Sequence, residues 1–170
     1  LEGTVERIRG EHVFEAREGD RLRRGEIVKT GESWAMIEYG DTRIALSYTT
    51  EIQLAAPGIV RLLGGRILAS GPIVITTPWI ETRSDGLISV VNYAWKGEVD
   101  IIPIEGASAV VDYETLGTLP VSTPSTWIEA EQDLVTSLEP FNAKTSSEAE
   151  FYTWARSHIK EEAPSDDEIE

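Results

Sequence analysis

The chain has 170 residues, 41% of them hydrophobic and 26% charged, with no cysteine and a formal net charge of −15. That size and balance suit a globular chain of one domain with an extension, or two very small domains. The acidic excess excludes nucleic acid and anionic lipid as direct partners, since both require clustered Lys and Arg; the lack of Cys removes disulfides, thiol catalysis and most structural zinc sites.

No continuous apolar run is long enough to cross a bilayer. The chain starts at Leu1 without a basic and then apolar leader. It therefore reads as a processed or cloned fragment, with any anchor outside it.

Residues up to about 113 read as strands. Gly19-Asp20, Gly31-Glu32, Gly40-Asp41, Asp85-Gly86 and Lys96-Gly97 are turn signals, often some ten residues apart. Short alternating runs lie between them. Ala35, Ile37 and Tyr39 would share one face, with Trp34, Met36 and Glu38 on the other. Ile44 with Leu46, then Ile52 with Leu54, continue the pattern. Further runs are Val60 to Leu63, Ile73 to Thr77, Leu87 to Tyr93 and Val99 to Ile104. Pro103 cannot donate to a ladder, so the last run is expected on an edge or with a bulge. Gly71-Pro72 marks the entrance to a strand. The pattern predicts a mainly all-β fold, either two packed layers or a coil of short strands, with a C-terminal helical extension.

After about Tyr113 the texture changes. Gly117 to Pro124 is rich in Thr, Ser, Pro and Gly and reads as a linker or extended arm. Ile128, Leu134, Val135 and Leu138 have roughly helical spacing behind Glu129 and Glu131, which predicts a short helix. Ser147 and Glu150 have the spacing of a capping box. Phe151, Trp154, Ala155, His158 and Ile159 form one helical stripe, and Pro164 stops it. The expected organisation is a β domain over 1–115, an arm over 116–146, an amphipathic helix over 147–163 and an acidic disordered tail over 164–170.

The segment from Val5 to Leu54 resembles the FecR domain family. Gly19-Asp20 is followed by Leu22, Gly25-Glu26, Ile27, Thr30-Gly31, Ser33, Ala35 and Ile37, then Gly40-Asp41-Thr42. Ile44, Leu46, Ile52 and Leu54 come next. Ile104-Glu105-Gly106 with Val110 resembles the family's closing strand pair. The resemblance spans about residues 3 to 113. It implies a periplasmic or cell-surface location, an N-terminal anchor outside this chain, and a signal-transducing or regulatory ectodomain. Founding members sense an outer-membrane transporter and control a sigma factor. The small C-terminal module of those members is not evident in Gly117 to Ile159.

In physical terms the motif residues are structural. Gly25, Gly31 and Gly40 would adopt positive φ at tight reversals. Asp20 and Asp41 would bond the amides of their own turns. Gly19, Glu105 and Gly106 complete the turn set.

No catalytic constellation, cofactor motif or metal-ligand spacing is evident, so no enzyme activity, cofactor or metal is expected. His12 and His158 read as packed or exposed. Gly64-Gly65 lacks the Lys-Ser/Thr of a phosphate-cradling loop. Asp20, Glu26 and Asp41 lie near turns, where Ca²⁺ ligation competes with turn chemistry, and turn chemistry is preferred. Asp166, Asp167 and Glu168 belong to a solvated acidic end.

Aromatic residues are the candidates for partner recognition. Trp79 follows a proline and Trp95 adjoins the Lys96-Gly97 turn; each reads as a partner anchor or as a lid on the core. Phe151 and Trp154 need a surface to pack on, with the β domain of the same chain preferred over a partner. The functional expectation is a module that contacts another envelope protein or itself. The alternative is a structural subunit of a surface assembly, with residues 117–170 as an arm packed on a neighbour.

Overall fold

The computed structural model describes residues 5–39, 41–114, 117–131, 133–136 and 146–160. Tight glycine turns and alternating apolar residues set its first elements. β1 (Val5–Arg9) and β2 (His12–Glu15) form an antiparallel hairpin about Gly10, whose φ is +60°. β3 (Ile27–Thr30) pairs with β1, and β4 (Ala35–Tyr39) forms a hairpin with β5 (Thr42–Leu46). β6 (Glu51–Ala56) pairs with β3 and with β7 (Ile59–Ser70).

The twelve residues of β7 join two halves of the molecule. Up to Gly64 the strand lies between β6 and β8 (Ile73–Thr76). From Gly65 onward it lies between β5 and β10 (Leu87–Tyr93). Both neighbours therefore change at the glycine pair. Gly65 has a φ of +95°, and a Cβ there would collide with Thr50. Only glycine lets the strand pass that close to another backbone. This pair, legible in the sequence only as a failed phosphate loop, is the pivot of the fold.

The first half is completed by β9 (Ile80–Ser84), β12 (Ser108–Asp112) and β13 (Thr118–Pro120). The second is completed by β11 (Glu98–Glu105), β14 (Ser125–Ile128) and β15 (Asp133–Thr136). All described pairings are antiparallel except β7 with β8. Ile52, Leu62, Ile75 and Ile80 of the first half and Ile44, Ile67, Ile88 and Ile101 of the second belong to one apolar cluster. The halves thus face each other across a shared core, in the manner of a sandwich whose sheets are joined through one strand.

The helix, α1 (Ser146–Lys160), covers the other side of the second half. Phe151, Tyr152, Ala155 and Ile159 pack with Ala45, Leu68 and Leu87 in a second cluster. β10 is consequently buried on both faces, and six of its seven residues are buried. The expected all-β fold with a C-terminal helix is therefore present, and α1 docks on its own chain.

Three expectations need correction. The β domain does not end at residue 115, because β13, β14 and β15 belong to the sheets. Between β13 and β14 the chain runs from the edge of one half to the edge of the other. The helix over Ile128 to Leu138 is replaced, within the described residues, by the β14–β15 hairpin, with Glu129 to Glu131 in its turn. Trp127 pairs with Leu134 across that hairpin; Trp127 is buried in the core and Leu134 packs against it. Period-two burial, which needs Trp127 to be seen, outweighs the helical spacing. Gly31 does not have the positive φ expected of it; Thr49, at φ +49°, takes the left-handed position and donates its amide to the Gly31 carbonyl at 2.9 Å. Gly40 and the tail from 161 lie outside the described residues.

Pro103 sits where expected. β14 pairs β11 only over Glu98 to Ile101, and the register of β11 against β10 shifts between Pro103 and Glu105. Proline thus lies next to a bulge, on a stretch that β14 does not reach.

Candidate interaction surfaces

Most of the motif residues hold turns. Gly19, Gly25 and Gly106 have positive φ, and Asp20 accepts the Arg17 amide at 2.8 Å. Glu105-Gly106 joins β11 to β12, where Asp85 accepts the Ala107 amide at 2.7 Å. Asp41 opens the turn into β5, with its carbonyl against Gly71. Glu26 differs from the turn-chemistry expectation. It is 1% exposed and takes the Arg9 guanidinium at 2.6 Å, with Arg7 at 3.8 Å. Both arginines also lie over the Phe14 ring, at 5.6 and 5.9 Å. A buried carboxylate is tolerable because these cations neutralise it. The sequence hid this pairing, since its partners come from a strand seventeen residues away.

The candidate aromatics separate by burial. Trp79 is half-buried against the main core and its carbonyl accepts the Tyr113 amide, so it acts as a lid. Burial, and then the charge of Glu81, push the Tyr113 phenol above its ordinary pKa. Phe151 is fully buried under α1, which removes it from the partner-binding set.

Trp154 is half-exposed at the shoulder of the helix, where Trp34 lies 5.2 Å from it and His158 stacks at 4.6 Å. Trp34 in turn meets Tyr48 at 5.4 Å. Trp34 thus faces the helix-covered side, opposite Ala35 and Ile37. His158 places Nδ1 2.9 Å from the Trp154 carbonyl, and Arg43 donates to the His158 carbonyl at 2.7 Å.

The helix stripe is rotated from the expected one. Tyr152 is buried where Trp154 was expected to be. Its hydroxyl shares a 2.7 Å hydrogen bond with Ser89 and accepts one from Arg66 at 2.7 Å. A polar-tipped ring can be buried only with such partners, and sequence spacing does not show them.

Trp95 is the most exposed of the candidate aromatics. It is 81% exposed in the turn between β10 and β11. Lys96 lies 5.1 Å from its ring and 4.9 Å from that of Tyr93. Two backbone hydrogen bonds tie the turn down: Lys96 donates its amide to the Tyr93 carbonyl at 2.9 Å, and Glu129 donates its own to the Gly97 carbonyl at 2.8 Å. A turn so tied, presenting an indole, loses little entropy when a partner covers it.

The outer side of the first half carries an open groove of about 950 Å³. Pro57, Ile59, Pro72, Val74, Ala109 and Pro120 line it, with Arg83 among them. Arg83 is held by Glu81 at 2.6 Å. Among the described residues, no three or more His, Asp or Glu side chains are grouped to hold a metal ion. No helix of the described residues is long and apolar enough to cross a membrane.

Comparison with known proteins places the fold. Two crystal structures of a "putative anti-sigma factor" from Parabacteroides distasonis match this chain with TM-scores of 0.56 and 0.54, at 12% and 13% identity. Each match covers 67% of this chain and 60% of the other, so the likeness spans less than two thirds of the matched chain. At this identity the likeness establishes the fold. No family model matches the chain, and no curated protein matches it.

Proposed function

We propose that the chain is a FecR-type extracytoplasmic module, the regulatory ectodomain of a membrane-anchored protein, which works by protein contact and not by catalysis. The observation that carries this reading is the fold it shares with the "putative anti-sigma factor" of P. distasonis. Two features add support. The residues that resemble the FecR pattern, Gly19, Asp20, Gly25 and Gly106, hold turns of that fold. The exposed Trp95 supplies the kind of aromatic anchor that protein partners use.

The scaffold alternative loses its arm, because the described parts of residues 117–136 and 146–160 pack within their own chain.

A photoreactive amino acid in place of Trp95, in the full-length protein in its own cells, tests the contact. The expected result is a covalent adduct with one envelope protein, absent when the probe stands at exposed Lys29. Equal labelling from both positions, or none from position 95, would overturn the proposed contact.

A further inference from the structure

β2 is a free edge of the first half. Among the described residues it pairs with β1 alone, and all four of its residues are exposed. Val13 is 59% exposed and Phe14 42%. The far edge of the same half differs, for β13 ends in Pro120, a residue that blunts an edge.

The direction of the β2 backbone can be read from its neighbours. Ala16 donates its amide to the Val5 carbonyl at 2.7 Å. Hydrogen bonding alternates along an antiparallel pair, so residues 12, 14 and 16 face β1. Val13 and Glu15 therefore direct their amides and carbonyls outward.

We infer that β2 is a self-association edge, at which two copies of this chain pair β2 to β2 in antiparallel register about Phe14. Alternation permits only registers in which the outward residues, 13 and 15, meet one another. Centring on Phe14 places Val13 opposite Glu15 of the second copy and Phe14 opposite Phe14. The same register sets Glu11 against Arg17, twice by symmetry. Centring on Val13 would set Glu11 against Glu15 of the second copy, a like-charge pair that disfavours it.

Long-range charge does not oppose pairing there. Residues 5–29 hold seven basic and six acidic side chains, a net of +1, whereas the whole chain carries −15. Two copies that meet through this segment are spared most of the repulsion that their net charge implies. The Glu11 and Arg17 that meet twice in this register make a second copy the occupant of the edge. Four residues a side make a small interface, so the dimer is weak and reversible.

Sedimentation of the 170-residue chain over a concentration series tests this. A monomer–dimer equilibrium is expected, weakening as salt screens Glu11 from Arg17. Val13→Pro removes only an outward amide and leaves the β1–β2 pairing intact. It should weaken the dimer roughly tenfold or more, with no change in melting temperature. Glu11→Arg and Arg17→Glu should each weaken it, and the double variant should restore it. A chain that stays monomeric at millimolar concentration would overturn the inference. So would a dimer that persists in Val13→Pro, or one whose charge variants do not compensate.

Discussion

Gly65 and Gly25 have nearly the same backbone angle but different surroundings. Both have φ near +90°, at +95° and +88°. A Cβ at Gly25 would meet nothing within 4 Å, whereas one at Gly65 would run into the Thr50 backbone and side chain. Gly25→Ala should cost only the strain of the left-handed region, about 1–2 kcal/mol. Gly65→Ala adds a collision with backbone that cannot move cheaply, so its loss should be clearly larger. Urea denaturation of the two variants measures the difference; equal losses would show that Thr50 yields. A second residue-scale prediction concerns Tyr152. Removing its hydroxyl leaves Ser89 and Arg66 each short of one hydrogen bond. Tyr152→Phe should therefore destabilise the fold by about 1–3 kcal/mol. Neither pair was legible in the sequence. The turn glycines at 19 and 25 could be read from Asp20 and Glu26 beside them, and Gly106 from the resemblance of Ile104-Glu105-Gly106, but Gly65 sits inside a strand, and Tyr152 finds its partners 63 and 86 residues away.

At the scale of elements, α1 is the most informative. A fifteen-residue helix is marginal alone in water. It is held by Phe151, Tyr152, Ala155 and Ile159 against β5, β7 and β10. Phe151→Ala should cost about 3–5 kcal/mol in a dilute monomer, as deletion of a buried ring does. Trp154→Ala should cost less, since that ring is only half-buried, and should abolish the near-ultraviolet circular dichroism of its pair with Trp34. Unchanged melting in both variants would mean that α1 does not dock on its own chain in solution. The helix itself could be read from its apolar stripe, while its rotation could not, because spacing ranks Trp above Tyr and ignores the Ser89 hydroxyl beneath. The β14–β15 hairpin was misread for a related reason. Ile128, Leu134 and Val135 fit a helical period, yet the decisive contact is Trp127 with Leu134 across the turn. β13 escaped notice because Thr118, Leu119 and Pro120 are all exposed and form no alternating pattern.

For the whole molecule, alternation made the β class legible, and the glycine turn signals marked five of the junctions between strands. What joins the strands was not legible. β7 carries the chain between the halves, and its Gly64-Gly65 crossing interrupts the very pattern from which strands are read. The candidate surface was legible as a set of aromatics, but not as a choice among them. Trp79 and Trp95 both lie at turns; only packing makes the first a lid and leaves the second 81% exposed. The regulatory reading joins that surface to the fold of the P. distasonis "putative anti-sigma factor". It predicts that this chain alters gene expression through a contact at the β10–β11 turn. The most direct test compares transcripts in cells carrying the intact full-length protein, the protein without this domain, and the protein with Trp95→Ala. Deletion should change one coherent set of transcripts, and Trp95→Ala should shift the same set in the same direction, with protein abundance unchanged. Transcript levels that stay at those of the intact protein in both strains would contradict the account.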